Sequence, residues 1–144
     1  MTIISAIYCD DVRQELGGKL SYMGVYRDTI GFFGPSLLMP KFVAVALFDL
    51  PLPLSGAPLE ISLMDRDAPI LPPAVVQPEP GNVPEGMPVM PHLPVVVPIE
   101  VMGLEMKAGM VLRIKVKYGD LEMDSPSLTA FSAPTALTVD ALQK

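Results

Sequence analysis

From Met110 to Tyr118 the chain alternates without a break: Leu112, Ile114, Val116 and Tyr118 fall on one side, and Arg113, Lys115 and Lys117 on the other. A period of two marks a half-buried β-strand. Gly119-Asp120 then supplies a tight turn, and Leu121 to Asp124 starts back with Leu121 and Met123 expected inward. Leu59, Ile61 and Leu63 alternate with Glu60, Ser62 and Met64 in the same way, up to Asp65-Arg66-Asp67. Phe42 to Leu50 is apolar on both faces, which is the pattern of a central strand in a layered fold. Val95 to Met102 places Val95, Val97, Ile99 and Val101 on one face, and Pro98 either makes it an edge strand or places its amide position outward. Ile3 to Tyr8 reads as a first strand.

The stretch from Cys9 to Asp28 predicts a hairpin. Gly17 and Gly18 suit a two-residue type I′ loop, which sets Leu16 against Lys19, Arg13 against Tyr22 and Asp11 against Gly24. Asp10 and Asp11 cannot both point outward in an unbroken strand, so a bulge or break is expected there, with Gly24 making room for the kink. A D-x-x-Q capping box from Asp11 to Gln14 is the competing reading, but Gly17 arrives too soon for a helix to grow. The return strand runs from Lys19 to Tyr26.

Between these strands the punctuation is glycine and proline. Arg27 to Pro40 reads as a loop with short extended pieces, and Pro51, Pro53 and Pro58 break the chain before Leu59. From Pro69 to Pro94 proline is so dense that a polyproline-like connection is expected, laid partly on the body by Ile70, Leu71, Val75, Val76, Met87, Val89 and Met90. Leu128 to Val139 offers one or two terminal strands broken at Pro134, followed by a helical stub or frayed tail from Asp140 to Lys144. Short alternating strands, tight turns and no convincing helix predict an all-β fold. The expected architecture is an antiparallel β-sandwich of about seven or eight strands, with a closed barrel as alternative. Residues 1–144 form one domain in this reading, with 69–94 as a loop or arm within it.

Composition narrows the function classes. No apolar run approaches the roughly 20 residues of a membrane-crossing helix, although hydrophobic residues make up 50% of the chain. The first residues lack a basic segment, so no secretory leader is read and a cytoplasmic location, or assembly into a phage particle made there, is expected. With 16 acidic against 10 basic residues the field repels phosphate backbones, which argues against nucleic acid as a partner. Cys9 is the one cysteine and His92 the one histidine, so neither a disulfide nor a zinc set follows from them.

Candidate chemistry is sparse. Asp10, Asp11, Asp28, Asp65 and Asp67 are weak candidates for calcium, which needs about six to eight oxygens, and strand-end aspartates usually cap turns instead. A C2-like calcium or acidic-lipid module is therefore the alternative function. Asp11, Arg13 and Tyr22 are expected on one surface, where with Gly17, Gly18 and Gly24 they hold the hairpin. Arg113, Lys115 and Lys117 form a basic stripe able to meet an acidic partner, or simply a solvated face. Cys9 lacks an evident base, His92 an orienting partner, and no G-x-S-x-G elbow is present, so no catalytic site and no cofactor are assigned. Ten methionines, several of them from Met87 onward, join the apolar arm in suggesting a surface that wraps a partner or exchanges between subunits.

Cys9-Asp10-Asp11-Val12-Arg13, Glu15, Gly18-Lys19, Gly24-Val25-Tyr26, Asp28 and Pro40-Lys41, followed by the doubly apolar strand, together resemble the DUF6941-type family of small bacterial and phage proteins. The resemblance covers the first third of the chain and carries no activity. The expectation is a non-enzymatic β-sandwich that binds a protein partner or itself, with a phage virion accessory or decoration role as one specific form. Its expected interaction surface comprises Val75, Val76, Met87, Val89, Met90, Arg113, Lys115 and Lys117.

Overall fold

The computed structural model describes residues 4–79, 86 and 91–133. Among them are twelve strands and no helix: β1 (Ser5–Cys9), β2 (Asp11–Gln14), β3 (Leu20–Met23), β4 (Thr29–Phe33), β5 (Ser36–Pro51), β6 (Leu59–Asp65), β7 (Ala68–Pro69), β8 (Ala74–Val76), β9 (His92–Lys107), β10 (Val111–Tyr118), β11 (Leu121–Asp124) and β12 (Leu128–Ala133). One sheet has the order β1-β5-β9, and a second the order β4-β12-β10-β6-β7. In the second, β11 shares the β12 side of β10 and β8 shares the β7 side of β6. A separate hairpin pairs β2 with β3. No sheet closes on itself, so the fold is a β-sandwich and not a barrel. The pairing is antiparallel throughout except for β12 with β4.

The core lies between the two sheets. Tyr8, Phe42, Ala44, Ala46, Phe48 and Leu50 from one side meet Leu59, Ile61, Leu63, Leu112, Ile114, Val116 and Leu128 from the other. The alternation of β10 is realised as read, since Leu112, Ile114, Val116 and Tyr118 are all buried. So is the placement of the Phe42–Leu50 stretch, which is the latter part of the central strand and is buried on both faces from Phe42 to Ala46. Its even positions face the main core, while Val43 and Val45 form a second cluster with Cys9 on the outer face. The β2–β3 hairpin covers that outer cluster with Val12 and Tyr22.

The pair β5 and β9 has a feature that periodicity alone does not announce. Along β5 the core-facing residues step from Met39 to Phe42, and along β9 from Val101 to Leu104, so both strands turn over at the same level. Pro40 and Gly103 fall there, between the pairs Met39↔Leu104 and Lys41↔Met102. Proline has no N–H to give the ladder, and Gly103 has φ +69°, open to glycine at little cost. The ribbon can therefore twist half over without leaving its register.

Several boundaries differ from the expectation. Arg27 to Pro40 is not a loop: it holds β4 and the start of β5, joined through Gly34-Pro35. β9 runs on past Met102, where the sequence reading ends the strand, as far as Lys107. Leu121 is 43% exposed rather than inward, and Met123 alone of that strand is buried. The proline-rich connection is partly ladder, because β7 and β8 pair with β6, Pro94 lies opposite Asp49 and Pro98 opposite Val45. As β9 is an edge, as read, a proline nitrogen there can face away from the ladder at no cost, and the even spacing of Pro94 and Pro98 points both off one side. The expectations for Ile3, Met87, Val89, Met90 and the chain beyond Ala133 lie outside the described residues.

Candidate functional site

β1 ends where the two aspartates begin. Asp10 is a bend between β1 and β2, so the expected strand break is present. The hairpin register differs from the sequence reading by one residue: Asp11 pairs with Met23, Val12 with Tyr22 and Arg13 with Ser21. The reason is the loop. Glu15 N–H bonds to the Lys19 carbonyl at 2.8 Å, giving a wider turn around Gly17 and Gly18 than a two-residue I′ loop. A one-residue slip exchanges faces, so Tyr22 points inward with Val12 instead of joining Asp11 and Arg13. Gly24 stands against Asp10, not Asp11; a Cβ on it would lie 2.2 Å from Asp10 Oδ2, and its φ is +66°.

Two polar contacts fasten this corner. The Tyr26 hydroxyl donates to Asp10 Oδ1 at 2.6 Å, and Tyr26 N–H bonds to the Tyr8 carbonyl at 2.8 Å. Burial, reinforced by the neighbouring Asp10 carboxylate, pushes the Tyr26 phenol well above its ordinary pKa. Lys41 Nζ donates to Asp11 Oδ1 at 2.7 Å and lies 3.4 Å from Glu100. The hydrogen bond from Lys41 holds the Asp11 carboxyl below its usual range, and the same bond raises Lys41. Asp11, Lys41 and Glu100 line a notch of about 210 Å³ floored by Val12, Val43 and Pro98.

The second consequence of the bend at Asp10 is an unpaired strand edge. β1 pairs with β5 only from Cys9↔Val43 to Ser5↔Leu47. From Ser36 to Phe42, β5 therefore has β9 on one side and, among the described residues, no strand on the other. Along this edge runs a groove of about 390 Å³ lined by Leu37, Leu38, Met39, Pro40 and Lys41, with Asp10 and Tyr26 at one end. Leu38 is 67% exposed and Met102, beside Lys41 in the ladder, 68%. Such an edge presents free main-chain N–H and C=O groups next to apolar side chains, the two requirements for adding a strand.

The residues singled out from sequence are dispersed. Arg113 Nε bonds to Asp124 at 3.1 Å and its guanidinium lies 3.6 Å from Asp67. Lys115 bonds to Glu122 at 2.5 Å, which raises the lysine and lowers the carboxyl. Lys117 stands between Glu60 and Glu122 in the sheet register. The basic stripe is thus interleaved with acids. Val75 and Val76 are exposed on β8, at the sheet margin, while Met87, Val89 and Met90 fall outside the described residues.

The acidic candidates do not converge either. Asp10 holds Tyr26, Asp11 holds Lys41, Asp65 accepts the Val111 N–H at 3.1 Å, and the Asp28 carbonyl accepts the Thr129 N–H at 3.0 Å. No group of three His, Cys, Asp or Glu able to hold a metal occurs among the described residues. Cys9 is fully buried, and burial raises its thiol. His92 stands opposite Pro51 while Cys9 stands opposite Val43. At ~3.3 Å per residue those two positions of β5 are ~26 Å apart, too far for a thiol–imidazole pair.

Sequence reasoning missed the edge residues Leu37, Leu38 and Met39 because Pro35 and Pro40 bracket them. The available signal was the bend itself: a strand that leaves its sheet early strands its neighbour. Among the described residues no helix is long and apolar enough to cross a membrane. No family model, curated protein or solved structure matches the chain.

Proposed function

We propose that this chain is a non-enzymatic binding or assembly module that works by strand addition at the open edge of β5. The observation that carries the reading is the combination of an unpaired edge from Ser36 to Phe42 with an apolar groove along it. Main-chain bonds would supply affinity and the Leu37–Met39 side chains the fit. The role of a phage virion accessory or decoration-like protein is the specific form suggested by the N-terminal resemblance to the DUF6941-type family. β8, with Val75 and Val76 exposed at the margin of the second sheet, offers a second contact surface.

The test is the mass of the native species. The protein is released under non-denaturing conditions from the cells or particles that make it and sized by chromatography with light scattering. The expected result is a species heavier than the 15.5 kDa chain. A native species of 15.5 kDa at every dilution would overturn the reading.

A further inference from the structure

The open edge has a property that specifies its partner. Its two ends carry opposite charge: at one, Asp10 stands beside Lys41, whose ammonium is already taken by Asp11 and Glu100, and at the other lies Lys107, exposed on β9 opposite Ser36, one strand behind the edge. Among the described residues the Asp10 carboxylate is bonded only to the uncharged Tyr26 hydroxyl, and Lys107 forms no ion pair. An antiparallel pairing about a two-fold axis reverses one copy, so it brings the basic end of each edge to the acidic end of the other. An edge of this kind is complementary to itself.

Resting on the binding reading above, we propose that the open edge of β5 is closed by the same edge of a second copy, in an antiparallel pair centred on Leu38. In that register Leu38 meets the partner subunit's Leu38 on the outer face, and Leu37 meets the partner subunit's Met39 on the core face. Directly opposed residues of antiparallel strands point the same way, so each face of the joined sheet stays continuous. Leu38, now 67% exposed, gains an apolar neighbour.

The gap also has the right length. The paired segment, Ser36 to Pro40, ends before Val43, where Cys9 begins the β1 pairing, and the Gly34-Pro35 turn takes the incoming strand out of the sheet at that point. A two-fold pair uses the same Ser36 to Pro40 segment of both copies and is therefore closed at that segment. Pro40 and the overturning of the ribbon beyond it prevent the pair from extending.

Sedimentation equilibrium of the purified full-length chain tests this across a range of concentrations. A concentration-dependent species of twice 15.5 kDa is expected. Leu38→Glu sets two like charges at the axis, with Glu105 opposite each in the ladder, and should weaken the dimer roughly tenfold or more, with an unchanged far-ultraviolet spectrum because the side chain is exposed. Lys107→Asp and Asp10→Lys should each weaken self-association, and mixing the two variants should restore it, since both charge contacts are then opposite in sign. A monomer at all concentrations, a Leu38→Glu dimer as tight as the parent, or no recovery on mixing would overturn the pairing. A monomeric pure chain whose native species is nevertheless heavier refutes only the self-pairing; a native species of 15.5 kDa refutes the binding reading as well.

Discussion

Two residues show how single atoms hold the arrangement. Gly24 has a positive φ and no room for a Cβ, because Asp10 fills that space. Gly24→Ala should cost about 2 kcal/mol, from backbone strain and from displacing the carboxylate that receives the Tyr26 hydroxyl. Urea unfolding measures the cost. Tyr8 places its hydroxyl 2.7 Å from the Pro126 carbonyl and 3.2 Å from Ser125 Oγ, so a β1 side chain is anchored on the opposite sheet's border. Ser125 Oγ in turn accepts the Ile114 N–H at 2.8 Å. Removing the phenol oxygen leaves buried acceptors short of a donor, and Tyr8→Phe should destabilise by about 1–3 kcal/mol in the same assay. Burial raises the Tyr8 and Tyr26 phenols, so their contribution is complete below the ordinary value of 10.0 and is lost as pH rises through the higher folded values. Ultraviolet titration should find a phenol ionising above 10.0 that disappears in Tyr26→Phe.

At the scale of elements, the hairpin β2–β3 is held by Val12 and Tyr22 on the Val43 cluster and by the Lys41–Asp11 bond. The depressed Asp11 carboxyl makes that bond contribute above the ordinary value of 3.8 and fade as acid titrates it through the lower folded value. Asp11→Asn should therefore be less stable than the parent near neutral pH, with the difference closing below 3.8. Acid–urea unfolding of both proteins checks it. The strands themselves were legible wherever one side of the sheet is buried: β6 and β10 alternate, and the middle of β5 is apolar on both faces because the sandwich and the hairpin cover it. The hairpin register was not legible, because the contest between a two-residue and a wider turn depends on the Glu15–Lys19 bond and on Val12 reaching Val43. Pro98 marked β9 as an edge correctly, whereas Pro94 was read into the connection although β9 starts at His92: whether a missing N–H matters depends on which neighbour it faces, a property of the sheet and not of the strand.

At the scale of the whole molecule, the site follows from a mismatch in length. β5 and β9 pair from Ser36↔Lys107 to Pro51↔His92, whereas β1 reaches only from Leu47 to Val43. The aspartates that end β1 thus decide where β5 is open. This was half visible in the sequence: the break at Asp10 was, but the strand it exposes required knowing that β5 extends back past Pro40. Charged and proline residues at this edge, Lys41 and Pro40, limit what can dock there to a short segment.

Hydrogen exchange of the 36–42 amides, compared between the isolated chain and its native assembly, tests the central claim most directly. The account predicts that the edge amides not bonded to β9 exchange quickly in the isolated chain and become protected in the assembly, while β10 amides do not change. Equal exchange of the 36–42 amides in both states, or new protection confined to other strands, would contradict it.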